Sequence, residues 1–144
     1  MDAASLFASG NFHYVQEEYE DALKHYTCAV TLQDDCADYF SCRAACYLKL
    51  GRFGDALADS ERALALGPRA YVALFRKGVA LFYSAEFAGA KLAFEEALRV
   101  HWGNAAKQPA AAAWLRKCDA ELSGSALPLG GIVSEASKLA FEEA

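Results

Sequence analysis

Five cysteines and three histidines are the side chains of this sequence best suited to nucleophilic or metal chemistry. Cys42 and Cys46 lie four residues apart, which would put both thiols on one face of a helix and invites a metal or redox reading. A structural metal site needs further ligands at comparable spacing, and neither the other cysteines, Cys28, Cys36 and Cys118, nor His13, His25 or His101 form a second pair. The plain alternative is that these thiols pack as small apolar groups between helices. None of the histidines stands beside a Cys or Ser in an order that would activate a nucleophile. Glu17-Glu18 and Glu95-Glu96 read as solvated helix faces, and the chain carries no glycine-rich phosphate loop or nucleophile elbow. The expectation is a protein that is not an enzyme and needs no metal and no cofactor.

Composition narrows the class further. The 144 residues are 55% hydrophobic with three prolines, enough for one well-filled core and against disorder over most of the length. A formal net charge of -5, with 14 Lys and Arg residues that form no basic run, argues against nucleic acid and anionic membranes as partners. No basic leader precedes an apolar segment and no run of about 18 apolar residues occurs, so secretion and membrane spanning are disfavoured. An odd number of unframed cysteines fits a reducing compartment, the cytoplasm with the nucleus as a second location.

The elements that must position any binding surface are helices. In Ala70 to Trp102, small residues at Gly78, Ala90 and Ala97 alternate with Leu74, Leu81, Phe87 and Phe94 around a turn-like Ser84-Ala85-Glu86. That pattern describes two short helices in a hairpin, brought close by Gly78 and Ala90, with Phe94 filling the space beside Ala97. Stepping back 34 residues turns these positions into Ala44, Ala56, Ala63 and Phe53; a second step gives Gly10, Ala22, Ala29 and Tyr19, with Tyr26 where Phe94 stands. Helices are expected at Ala4 to Gln16, Tyr19 to Leu32, Ala37 to Leu50, Phe53 to Leu66, Arg69 to Ser84 and Phe87 to Val100. Gly51 suits a turn with positive φ, Gly67-Pro68 ends the fourth helix, and Gly103-Asn104 closes the third unit. Pro109 suits the first position of a seventh helix whose apolar side, Ala112, Leu115, Cys118 and Leu122 with Trp114 flanking, covers the open end while Arg116, Lys117, Asp119 and Glu121 meet water.

A gapless 34-residue period of paired helices with these small and aromatic positions resembles the tetratricopeptide repeat family over residues 3 to about 122. Pro68 matches a proline the family often carries at the end of a unit; Asp34 and Trp102 depart from it. The fold class implied is all-α: three tandem hairpins, about 3–36, 37–70 and 71–104, in a right-handed superhelix, then a capping helix at about 109–122. The segments YFSCRAACYLKLGRFGDALADSERALALGP, LFRKGVALFYSAEFAGAKLAFEEAL and AAWLRKCDAEL further resemble the N-terminal repeat domain of SGT-type co-chaperones, Trp114 to Cys118 being the more discriminating piece. Members of that branch continue into a chaperone-binding β-sandwich and a specific C-terminal region, so this chain is expected to be a fragment or shortened form.

What the resemblance implies is a protein-interaction adaptor, a scaffold associated with chaperones and ubiquitin-ligase components. The first helix of each pair would line a concave groove formed here by Phe7, Asn11, Tyr14, Cys42, Ala45, Lys49, Val72, Arg76, Val79 and Tyr83. One large subgroup of the family grips acidic chaperone tails in that groove with a two-carboxylate clamp. Asn11 and Arg76 match its pattern, but Phe7 replaces the first lysine, Cys42 the second asparagine and Val72 the second lysine. Loss of charge-assisted bonds worth about 1.5–3 kcal/mol each would weaken such binding by orders of magnitude. Phe7, Tyr14 and Tyr83 would offer amphipathic contact area, and Lys49 and Arg76 would select an acidic feature; alternatively Phe7 and Tyr83 pack against neighbouring helices. The competing reading is a dimerisation module with no peptide in the groove.

The tail adds one unexpected feature. A flexible linker, 123–131, leads to an amphipathic stretch, 132–144, in which Lys138 to Ala144 repeats the Lys91 to Ala97 string KLAFEEA at a distance of 47 residues. This segment is expected to dock on the seventh helix, to reach a second chain in a homodimer, or to stay mobile.

Overall fold

The computed structural model describes residues 1–67, 70–100 and 109–124. Among these residues there are seven α-helices and no strand: α1 (Ala3–Val15), α2 (Tyr19–Leu32), α3 (Ala37–Lys49), α4 (Phe53–Leu66), α5 (Tyr71–Tyr83), α6 (Phe87–Val100) and α7 (Pro109–Ser123). Each observed terminus of the first six lies within two residues of the position the period predicts. Closing of the third unit at Gly103-Asn104 and the whole stretch 125–144, with the 132–144 segment, lie outside the described residues. No described helix is long and apolar enough to cross a membrane.

Helices pair as α1 with α2, α3 with α4 and α5 with α6, and each second helix packs on the next hairpin, α2 on α3, α4 on α5 and α6 on α7. The 34-residue repeat extends to the backbone. Glu17, Gly51 and Ala85 adopt φ of 62°, 77° and 64° at the same position of the three hairpin turns. Beside them the amides of Glu18, Arg52 and Glu86 donate to the carbonyls of His13, Tyr47 and Leu81 at 2.9, 2.8 and 2.9 Å. This is a helix C-terminus closed by a six-to-one hydrogen bond with a left-handed residue before the donor. Gly51 takes that conformation without Cβ strain, whereas Ala85 does so at a cost of about 1–2 kcal/mol.

Inside each hairpin, bulk on the second helix is matched by its absence on the first. A Cβ on Gly10 would stand 2.6 Å from the Tyr26 ring and one on Gly78 would stand 2.7 Å from the Phe94 ring. Phe94 therefore fills the space over Gly78, rather than only the space beside Ala97 that the spacing suggests. In the middle unit the same register places Ser60 opposite Ala44, so a methyl is tolerated where the facing side chain is small. Ala22, Ala29, Ala56, Ala63, Ala90 and Ala97 are fully buried. Their lack of bulk lets the backbones approach.

Within the middle hairpin an ion-paired seam ties α3 to α4. Asp59 is 1% exposed and accepts from Arg43 Nε at 2.6 Å, Arg43 Nη2 at 2.9 Å and Arg62 Nη1 at 2.9 Å. At the far end, α7 is rotated from the expected orientation by about one residue. Its buried side is Ala111, Trp114 and Cys118, with Leu115 only partly buried and Leu122 49% exposed. Trp114 decides that rotation: it stacks on Phe94 at 5.7 Å and meets Phe82 edge-on at 5.1 Å. Burying the indole removes more apolar area from water than burying Leu122 would. Lys117 is not simply solvated either, since its ammonium lies 4.3 Å from the centre of the Trp114 ring.

Two thiols in this packing are held neutral by burial, Cys46 pushed up to about 12 and Cys118 to about 11. Cys46 packs among Ala22, Leu23 and Tyr26, as the small-hydrophobe reading of the Cys42–Cys46 pair requires. Below the ordinary thiol range both states of the chain keep these protons, so the thiols add no pH dependence. As pH rises through that range only the unfolded chain loses them, and each group lowers stability by about 1.4 kcal/mol per pH unit until its folded value is reached. Urea midpoints are therefore expected to fall above about pH 9, less steeply in Cys46→Ala/Cys118→Ala. Equal slopes in the two proteins would contradict this.

Candidate binding groove

The first helices of the hairpins and α7 together line a pocket of about 320 Å³. Tyr14 comes from α1, Ala45, Leu48 and Lys49 from α3, Tyr71, Val72, Phe75, Arg76 and Val79 from α5, and Ala110 from α7. Of the residues expected to line the groove, the fold thus gathers Tyr14, Ala45, Lys49, Val72, Arg76 and Val79 around one cavity. It also adds members that spacing did not single out. Tyr71 and Phe75 precede Val72 and Arg76 by one residue on the same helix, so the lining of α5 is a stripe wider than a single row. The apolar pair at i and i+4 was the available signal. Ala110 is brought in only by the approach of α7.

The remaining expected residues stand elsewhere. Phe7 is partly buried and packs on Tyr39 at 4.7 Å and Tyr26 at 5.6 Å, tying α1 to α2 and α3. Tyr83 stacks on Phe53 at 4.8 Å with planes 10° apart and meets Trp114 at 5.9 Å, between hairpins rather than in the pocket. Both aromatics therefore follow the packing alternative. Cys42 packs against the Cys46 cluster instead of lining the pocket, half-buried, its thiol pushed above the usual range chiefly by that burial.

Arg76 in the pocket and Asn11 outside its lining are both engaged with the protein. Arg76 Nη1 donates to the Ser41 carbonyl at 2.7 Å and to Ser41 Oγ at 2.8 Å, linking α5 to α3. A guanidinium has five N–H donors, so these two bonds hold it in place without exhausting it. Asn11 Oδ1 accepts from the Tyr26 hydroxyl at 2.6 Å, while burial raises the Tyr26 phenol above its ordinary range. Tyr14 is shifted the same way by burial, opposed by the nearby Arg76 charge. The two residues that match a carboxylate clamp, Asn11 and Arg76, thus each serve an internal contact, and Val72, 47% exposed, puts an isopropyl group where the clamp carries an ammonium. What the pocket offers is apolar surface from Val72 and Phe75, over the buried Val79, beside the cations of Lys49 and Arg76.

Three hairpins in one register, stacked in order and closed by α7, define an array of tetratricopeptide repeats. The chain resembles the repeat domains of SGT-type co-chaperones. The SGT1 homolog of Bos taurus is 31% identical over 123 residues, covering 85% of this chain and 35% of that protein. The Hsp70-Hsp90 organizing protein of Triticum aestivum is 34% identical over 90 residues, 62% of this chain and 16% of that one. The chain thus spans about a third or less of the curated relatives it matches. Among solved structures, the first repeat domain of Spaghetti (RPAP3) bound to the HSP90 peptide SRMEEVD is similar at a TM-score of 0.79 and 28% identity, covering 85% of this chain and 94% of that one. The Sgt2 repeat domain of Aspergillus fumigatus gives 0.79 and 28%, with coverage of 85% and 80%. No family model matches the chain.

Proposed function

We propose that this chain is the repeat domain of a chaperone-linked adaptor that takes an extended segment of a partner protein into the α1–α3–α5 groove without a complete carboxylate clamp. One observation carries the reading: a pocket walled by the first helices, apolar along Val72 and Phe75 over the buried Val79, and cationic at Lys49 and Arg76. Similar repeat domains support it, since the first of Spaghetti is bound to an HSP90 peptide and the second of human RPAP3 is in complex with the HSP70 peptide SGPTIEEVD. Ubiquitin-ligase components are the further partners that likeness to the SGT branch suggests. Its five free cysteines suit the cytoplasm or nucleus.

Affinity capture from a cell extract tests the groove, comparing wild type with Arg76→Glu and Val72→Glu. Partners retained equally by all three would refute it, and light scattering across concentrations separates a monomeric binder from a self-associating module. A direct titration with SRMEEVD bears on the clamp. Binding is expected to be at least about a hundredfold weaker than to a domain with the full clamp, and Val72→Lys should recover about tenfold. Tight binding by wild type would mean that the groove holds a carboxylate tail by other means.

A further inference from the structure

Net charge is negative over the whole chain, -5, yet none of the residues lining the groove is acidic and two, Lys49 and Arg76, are cationic. Arg76 is held on Ser41 by two bonds and keeps further donors. Beside these cations Val72 is 47% exposed and Phe75 partly buried. The occupant such a wall selects carries apolar side chains next to carboxylates.

The sequence itself contains a segment of that kind. Residues 132–144, IVSEASKLAFEEA, lie outside the described residues and carry three glutamates against one lysine, a net of -2. Alternate side chains of an extended segment share a side, so Leu139, Phe141 and Glu143 would form one row, two apolar groups followed by a carboxylate. Its reach is sufficient. The last described residue is Gly124, just past α7, and Ala110 at the other end of that helix lines the pocket. At a rise of about 1.5 Å per residue these points are about 21 Å apart, and residues 125–131 span at most about 25 Å.

The outer face of α7 is a poorer seat for the repeated string KLAFEEA. Phe94, in the first copy, lies over Gly78, where a Cβ would stand 2.7 Å from its ring. Matching the buried Ala111 and Cys118 of α7 to the buried Ala73 and Ala80 of α5 puts the exposed Arg116 in the place of Gly78. A second copy of the phenylalanine would meet that arginine instead of a gap.

We propose, on the basis of the groove's role as a binding site for extended segments, that residues 132–144 of the same chain occupy it and compete there with partner proteins. A segment whose own Kd is about 0.1 mM, tethered at an effective concentration of about 1 mM, fills its groove about ten to one and weakens any competitor about tenfold.

The probe is a synthetic peptide of residues 132–144, fluorescein-labelled at its N-terminus and amidated at its C-terminus so that side chains alone supply charge. Fluorescence anisotropy follows its binding to the full chain as wild type, as the tail variant Phe141→Ser/Glu143→Lys, and as that variant with Val72→Glu added. The tail variant should bind one peptide saturably, and wild type about tenfold more weakly because its own segment competes. Adding Val72→Glu should weaken binding by the tail variant at least about tenfold. Helical circular dichroism checks that each protein folds. Without peptide, the Val72 methyl resonances of wild type should differ from those of the tail variant and stay unchanged on dilution. No saturable binding, equal affinity in wild type and tail variant, indifference to Val72→Glu, or a Val72 difference that disappears on dilution, which would put a second chain in the groove, each overturns the intramolecular occupant. Capture of partners from a cell extract by the tail variant separates this occupant from the groove itself. If Val72→Glu strips partners while the peptide fails to bind, the groove stands and only its internal occupant falls; if partners and peptide are both indifferent to Val72→Glu, both fall.

Discussion

Asp59→Ala is expected to lower the unfolding free energy by about 3–5 kcal/mol, the cost of leaving a buried charge without its partner. The stranded group is Arg43, whose side chain is 12% exposed and which makes both Nε and Nη2 bonds to that carboxylate. Hydrogen bonding to Asp59 is also the main cause that raises the Arg43 guanidinium above its usual range. Phe40 and Tyr47 flank it, with the guanidinium carbon 5.7 and 5.8 Å from their ring centres, but ring faces do not replace a carboxylate at hydrogen-bond distance. Arg62, 57% exposed on its side chain, is the control. Its removal should cost within about 1 kcal/mol because water screens and replaces that bond. A joint change, Arg43→Met with Asp59→Leu, should recover most of the loss, since apolar packing often substitutes for a buried ion pair. Urea unfolding of the four proteins measures this, and an Asp59→Ala loss below about 1 kcal/mol would show that water reaches Arg43.

The second large effect concerns the rule that pairs bulk with its absence across each hairpin. Ser60→Phe puts a ring where Tyr26 and Phe94 stand in the flanking units, but opposite Ala44 instead of a glycine. Overpacking should cost about 1–3 kcal/mol or more. Adding Ala44→Gly should restore at least half of that, although glycine within a helix itself costs about 1 kcal/mol. Gly78→Ala tests the reverse. Its new methyl would meet Phe94, which cannot retreat because Trp114 stacks on it at 5.7 Å and Phe75 meets it edge-on at 5.5 Å. A double-mutant cycle on residues 44 and 60 that shows no coupling would sink the pairing rule.

The groove was legible as far as it rests on helical spacing. Lys49 on α3, and Val72, Arg76 and Val79 on α5, fall on the concave side because residues three and four apart share a face. Phe7 and Tyr83 occupy comparable positions in the sequence, yet each has an aromatic neighbour from another helix, Tyr39 and Phe53, that draws it into packing. Such neighbours are invisible to a reading along one helix. The one-residue rotation of α7 has the same origin, in the fit of Trp114 against Phe82 and Phe94.

Isolated in the sequence, His13 and His25 gave no sign that their rings stack, since they lie on different helices and only the α1–α2 turn brings them together.

By itself the sequence determined the helices, their turns, the 34-residue period and, through it, the all-α repeat architecture, because these depend on backbone preference and on periodic burial that any two neighbouring helices impose. Only the tertiary structure decided which of several eligible side chains face the groove, which lock hairpins together and which meet across a turn. Those outcomes depend on the shape and charge of side chains distant in sequence, as where Gly78 admits Phe94 and Asp59 receives Arg43.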